Sequence, residues 1–136
     1  MKSFDHEKLD VYKRSIELVV LANEVVEQLP RGRGYLADQL QRAATSIALN
    51  IAEGAGEFVP KEKARFYRIA RRSATESAAV FDVCLANGLV AQDRYDRARS
   101  LLLEIVGMLV RMVRNLGDDT GQGQGQGQGQ GEEAPA

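Results

Sequence analysis

The segment from Tyr35 to Gly56, YLADQLQRAATSIALNIAEGAG, constrains this chain most, because its residue spacing and small side chains dictate a closely packed helix. At about 100° per residue, Leu36, Leu40, Ala43, Ala44, Ile47 and Ile51 fall on one face, a core stripe. Gln39, Arg42, Ser46, Asn50 and Glu53 form a polar stripe beside it. Alanine and serine at Ala43, Ala44, Ala48, Ala52 and Ser46 let a second helix approach closely. Gly54 and Gly56 are expected to end the helix with left-handed backbone.

Three further helices follow from the same reasoning. The first is predicted from Asp5 or Asp10, either of which can cap it, to Leu29 before Pro30, with Tyr12, Ile16, Val19, Val20 and Val26 facing inward. The breaker-rich link Pro30–Gly34 turns the chain back on itself. Pro60 suits the first position of helix three, where its missing N–H costs nothing, and Asn87-Gly88 suits its end. Tyr67, Ala70, Ala74, Ala78, Phe81 and Leu85 line the inner face of that helix. Helix four is predicted from about Asp93 to Leu116, stopped by Gly117. The fold class is therefore all-α, an up-down-up-down antiparallel four-helix bundle over residues 1–117.

Residues 118–136, DDTGQGQGQGQGQGEEAPA, contain no large apolar side chain to offset the entropy of ordering, so a disordered Gly-Gln-rich acidic tail is expected. Without the four acids Asp118, Asp119, Glu132 and Glu133, a formal net charge of −1 becomes +3 on residues 1–117. That is far below what a dedicated phosphate-gripping protein carries. No apolar run reaches the roughly 18 residues of a membrane span, and MKSFDHEKLD is charged where a secretion signal is apolar, so the expected location is the cytoplasm.

The segments Q-L-Q-R-A-A-x-S-I-A-x-N-I-A-E-G and E-K-A-R-F-Y-x-x-A-x-x-S-A-x-E, preceded by F-x-x-x-x-L-D-V-Y at Phe4 to Tyr12, carry a likeness from Phe4 to Leu116. In these the chain resembles the four-helix-bundle family of 23S rRNA intervening-sequence proteins. The resemblance implies four antiparallel helices, commonly a homo-oligomeric ring of five subunits, and no established catalysis for most members. The related accessory variability determinants of diversity-generating retroelements are strongly basic pentamers that partner a reverse transcriptase. This chain departs from the pattern at Gln41, where arginine is frequent, and at Arg72, where glycine is frequent.

Helix four is apolar over too wide an arc. Beyond Ala98, Leu102, Ile105, Leu109, Met112 and Leu116, the residues Leu101, Leu103, Val106, Met108, Val110 and Val113 widen it to roughly 220°, about twice what a bundle needs. Leu103, Val106, Val110 and Val113 are thus candidates for a subunit interface, with part of helix one beside them.

Chemistry is poorly served. The single histidine, His6, lies far from any carboxylate cluster, no inward Glu-x-x-His motif is present, and the glycines match no phosphate loop. No catalytic residue, metal site or cofactor is expected. Cys84, the only cysteine, lies on an apolar face and reads as a small buried side chain.

Two polar groupings remain. Lys61, Arg65, Arg68 and Arg72, with Arg71 and Lys63 nearby, form a basic outer face on helix three that could follow a line of phosphates. It could equally be an ordinary solvated face, partly neutralised by Glu62 and Glu76. Arg42, Asn50, Glu53, Ser73 and Glu76 are expected to form a polar network between helices two and three, fixing their register. The favoured function is a non-enzymatic homo-oligomeric scaffold or adaptor. The alternative is a nucleic-acid-binding accessory factor that partners RNA or a reverse transcriptase.

Overall fold

The computed structural model describes residues 2–119. A short 3-10 turn, Asp5–Lys8, leads into four helices: α1 Asp10–Glu27, α2 Gly34–Ala55, α3 Pro60–Ala86 and α4 Gln92–Asp119. No strand occurs among the described residues. The tail expected to be disordered lies outside them, except that Asp118 and Asp119 continue α4.

Each helix packs on the next, and α4 returns to α1, closing a four-membered arrangement. Side-chain pairs give the directions. Along α1, Arg14, Glu17 and Glu24 meet Glu104, Arg97 and Arg94 of α4, so partner numbers fall as α1 advances and the two helices run antiparallel. The α2–α3 pair behaves alike, with Ser46 beside Ser73 and Gly54 beside Tyr67.

The core draws on every helix, including Leu18, Leu40, Ile47, Ile51, Phe81, Ile105 and Leu109, all essentially without solvent contact. Alanine dominates where α2 and α3 meet: Ala43, Ala44, Ala48, Ala70 and Ala74 are buried. Short side chains bring the two axes together, and dispersion between well-packed surfaces rewards the approach.

The inward phase expected for α1 is corrected. Val11, Ser15, Leu18, Leu21, Ala22 and Val25 are the buried set, whereas Ile16 is 40% and Val20 53% exposed. Tyr12, Val19 and Val26 lie half-buried at the edge. Ser15 tolerates the core because its hydroxyl donates to the Tyr12 carbonyl at 2.6 Å, which spares a buried polar group its desolvation cost. Neither aspartate caps α1 through its side chain. Leu9 occupies the cap position, and Glu7 instead accepts from the Phe4 N–H at 3.1 Å.

The glycines of α2 also differ from expectation. Gly54 lies inside the helix, and Gly56 ends it with φ −85°, ordinary right-handed backbone. Left-handed backbone occurs instead at Gly32 (φ 95°) and Gly88 (φ 68°). At Gly88 it completes a helix stop: Leu89 N–H reaches the Cys84 carbonyl at 2.8 Å and Gly88 N–H the Leu85 carbonyl at 3.0 Å. Gly117 does not stop α4, which runs on to Asp119.

Candidate functional site

Three surfaces carry the residues singled out by sequence. The first is the α2–α3 seam. Here the hydroxyls of Ser46 and Ser73 lie 2.9 Å apart, and Asn50 Nδ2 donates to the Ser46 carbonyl at 2.9 Å and to its Oγ at 3.0 Å. Buried Ser77 donates to the Ser73 carbonyl, also at 2.9 Å. The seam is too narrow for longer groups. Arg42, Glu53 and Glu76 point to solvent and take no side-chain hydrogen bond or ion pair among the described residues. The network expected around an arginine–carboxylate fork is thus a compact cluster of two serines and an asparagine. Ser46 was legible as part of the polar stripe, and its i,i+4 spacing from Asn50 was the signal for including it.

The same seam explains Gly54. A Cβ there would sit 2.6 and 2.8 Å from two ring carbons of Tyr67 and 3.2 Å from the Phe66 Cβ. Glycine is required by the closeness of α3, not by a turn. Lys63 reinforces this end of the seam, donating from Nζ to the Gly54 and Ala55 carbonyls at 2.8 and 3.0 Å. These are among the last carbonyls of α2, the Gly54 oxygen also accepting from the Glu57 N–H at 3.2 Å, and a cation there meets the negative end of the helix dipole. Lys63 therefore belongs to the α2 terminus rather than to the basic face.

The second surface is that basic face. Lys61, Arg65, Arg68, Arg71 and Arg72 are all exposed. Arg65 pairs with Glu62 at 3.0 Å and lies over the Phe66 ring at 4.6 Å. The other four take no ion pair among the described residues, and Glu76 neutralises none of them. Four exposed cations without an ion pair among the described residues form a positive patch, the kind of surface that meets phosphates or carboxylates without reading a sequence.

The third surface is the outer side of α4. Leu103 is 52% exposed, and Val106, Val110 and Val113 are half-buried. The α4 edge toward α1 is closed by the ion pairs with Arg14, Glu17 and Glu24. The edge toward α3 is marked by Tyr95, whose hydroxyl donates to Asp82 at 2.6 Å, a bond that pushes the phenol's pKa up. By helical phase, Leu103, Val106 and Val110 lie on this α3 side.

Reactive groups are quiet. Among the described residues no three His, Cys, Asp or Glu side chains gather as a metal site, and no helix is long and apolar enough to cross a membrane. Cys84 is buried, and burial pushes its thiol pKa up, away from the thiolate needed for nucleophilic chemistry. His6 packs between rings, 5.7 Å from Phe4 and 4.5 Å from Tyr12.

Residues 7–111 match the 23S rRNA-intervening sequence protein family. The chain belongs to that family. A solved structure from Bacteroides thetaiotaomicron VPI-5482, a protein with unknown function from the S23 ribosomal protein family, superposes with a TM-score of 0.71 at 20% identity. The match covers 76% of this chain and 98% of that one. At that identity the likeness establishes the shared four-helix fold. No curated protein matches the chain. The Gln39-to-Gly54 and Glu62-to-Glu76 segments both lie within the matched residues and meet at the α2–α3 seam.

Proposed function

We propose that this member of the family is a non-enzymatic, self-associating four-helix scaffold in the cytoplasm, assembled through the outer face of α4. The observation that carries the reading is Leu103, half-exposed in mid-helix with Val106, Val110 and Val113 around it. Covering such a strip against another subunit removes apolar area from water at roughly 25 cal/mol per Å². A ring of five subunits is the form that the family resemblance favours.

Multi-angle light scattering tests the reading. The full chain at micromolar concentration is expected to exceed the 14.9 kDa monomer mass several-fold. Leu103→Asp is expected to weaken assembly by roughly 100-fold, since it places a charge in a desolvated contact. A monomeric wild-type chain would refute the proposal.

A second reading rests on a separate observation, the unpaired cations Lys61, Arg68, Arg71 and Arg72 on α3. They support a nucleic-acid accessory role, with RNA or a reverse transcriptase as partner, and a ring would multiply their field. Filter binding to single-stranded RNA should then weaken with salt at a log–log slope of about −3 for four phosphates contacted. Arg68→Glu with Arg71→Glu should abolish retention, while absence of binding at low salt leaves only the scaffold.

A further inference from the structure

Gly107 stands in the middle of α4 with no reason for it inside the subunit. Its backbone is helical, left-handed angles among the described glycines being confined to Gly32 and Gly88. A Cβ there would meet only Arg111 Nη1, at an ordinary 3.6 Å. This is the reverse of Gly54, where a tyrosine ring excludes any side chain. A mid-helix glycine nonetheless weakens a helix by about 1 kcal/mol relative to alanine, so Gly107 carries a cost without an internal benefit. What it does create is a shallow dent on the outer side of α4, one turn from both Leu103 and Val110, covered only by the flexible end of Arg111.

α1 carries the matching relief. Ile16 and Val20, one turn apart, are exposed and form a ridge on the outer side of α1. That side also bears Glu27 and, one turn before Ile16, Lys13, whereas Glu24 is held at the α4 edge by Arg94; exposed Arg68 and Arg71 of α3 and Arg99 and Arg114 of α4 flank the α4 dent on its α3 side. The ridge of a subunit cannot reach its own dent, because α1 and α4 already meet along the opposite edge of α4 through Arg14–Glu104, Glu17–Arg97 and Glu24–Arg94. Two dents placed face to face would set arginines against arginines, which disfavours that pairing.

We propose that the Ile16–Val20 ridge of one copy seats in the Leu103–Gly107–Val110 dent of the next. This pairing rests on the self-association proposed above and specifies which surface meets which. Ridge and dent are different surfaces, so each copy offers one of each, and contacts propagate from copy to copy until a ring closes. Glycine in the dent lets the incoming helix approach closely once the Arg111 side chain swings aside, and Glu27 is the acid that meets the arginines around the dent.

Two full-length variants test the pairing. Ile16→Asp with Val20→Asp destroys the ridge and spares the dent, whereas Gly107→Leu fills the dent and spares the ridge. Ile16 and Val20 are exposed and a side chain at Gly107 would meet only the end of Arg111, so far-UV circular dichroism should show both variants as helical as the parent. Each alone is expected to be monomeric by light scattering. Mixed at equal concentration, they should form a one-to-one heterodimer and stop there, because a single intact ridge meets a single intact dent. The smaller change Gly107→Ala should raise the apparent dissociation constant at least 10-fold while leaving helix content unchanged or higher.

If the ridge variant remains assembled like the parent, or the mixture stays monomeric or grows beyond a dimer, the pairing is wrong although self-association stands. A parent chain that is itself monomeric would remove self-association and the pairing with it.

Discussion

Gly54→Ala should lower the stability of this protein by about 2–3 kcal/mol, although alanine is the better helix former by about 1 kcal/mol. The added methyl would have to occupy a point 2.6 Å from one Tyr67 ring carbon and 2.8 Å from another. Tyr67 is only 3% exposed, so its ring has no free volume into which to swing. α3 must instead move away from α2, which would stretch the Ser46–Ser73 contact and the bonds from Lys63 to the end of α2. Urea unfolding should show the loss as a lower midpoint, and heating as a fall of roughly 5–15 °C. Tyr67→Leu in the same chain should recover part of it, because the two sites share one volume. A Gly54→Ala protein that melts at or above the parent would mean that the seam is softer than the packing implies.

The reason for that glycine illustrates what the sequence could and could not disclose. Gly54 closes the most distinctive run of the chain, and the run reads naturally as a helix stop. Its actual constraint is a ring thirteen residues further on in another helix, and no local pattern encodes that. The α2 and α3 stripes were legible because each is one-sided: Leu36, Leu40, Ala44, Ile47 and Ile51 on one, and Tyr67, Ala70, Ala74 and Phe81 on the other, are all buried. α1 was not, since apolar residues occur on both its sides. Choosing Ile16 and Val20 as core was the natural error, because nothing local announced that Ser15 would satisfy itself on a backbone carbonyl and take the inner place.

The candidate surfaces divide in the same way. Exposure of Lys61, Arg65, Arg68, Arg71 and Arg72 follows directly from helical phase, so the basic face was readable. The withdrawal of Lys63 to the end of α2 was not, because it depends on where another helix ends. Arg42, Glu53 and Glu76 have the right chemistry for a bridging network, but the alanines that bring α2 and α3 together leave room between them only for serine-sized groups. The side chains that could have bridged the seam are therefore left at the surface, available to a partner. Packing between α2 and α3 thus fixes the seam with short side chains, and the outward faces of α1, α3 and α4 carry the exposed apolar and basic residues.

The buried and exposed phenylalanines of α3 and its approach provide the sharpest contrast between core and surface. Phe81 is 1% exposed and heads the fully buried side chains by volume. Phe81→Ala removes a whole ring from a core that is otherwise largely aliphatic and alanine. Such changes cost about 3–5 kcal/mol, a large share of the roughly 5–15 kcal/mol that holds a domain together. Melting should fall by roughly 10–20 °C, followed by far-UV circular dichroism. Phe58, at the corner before Pro60, is 93% exposed, so within one subunit its ring contributes almost nothing. Phe58→Ala should change the intrinsic stability by less than about 0.5 kcal/mol. Repeating both melts over a 100-fold range of protein concentration separates fold from assembly, because only contacts between subunits make the midpoint depend on concentration. The Phe81→Ala deficit should persist at every concentration. If Phe58→Ala instead loses stability only as the protein becomes more concentrated, the corner is buried by a neighbouring subunit, and its ring belongs with the outer faces of α1 and α4 as part of the assembly surface.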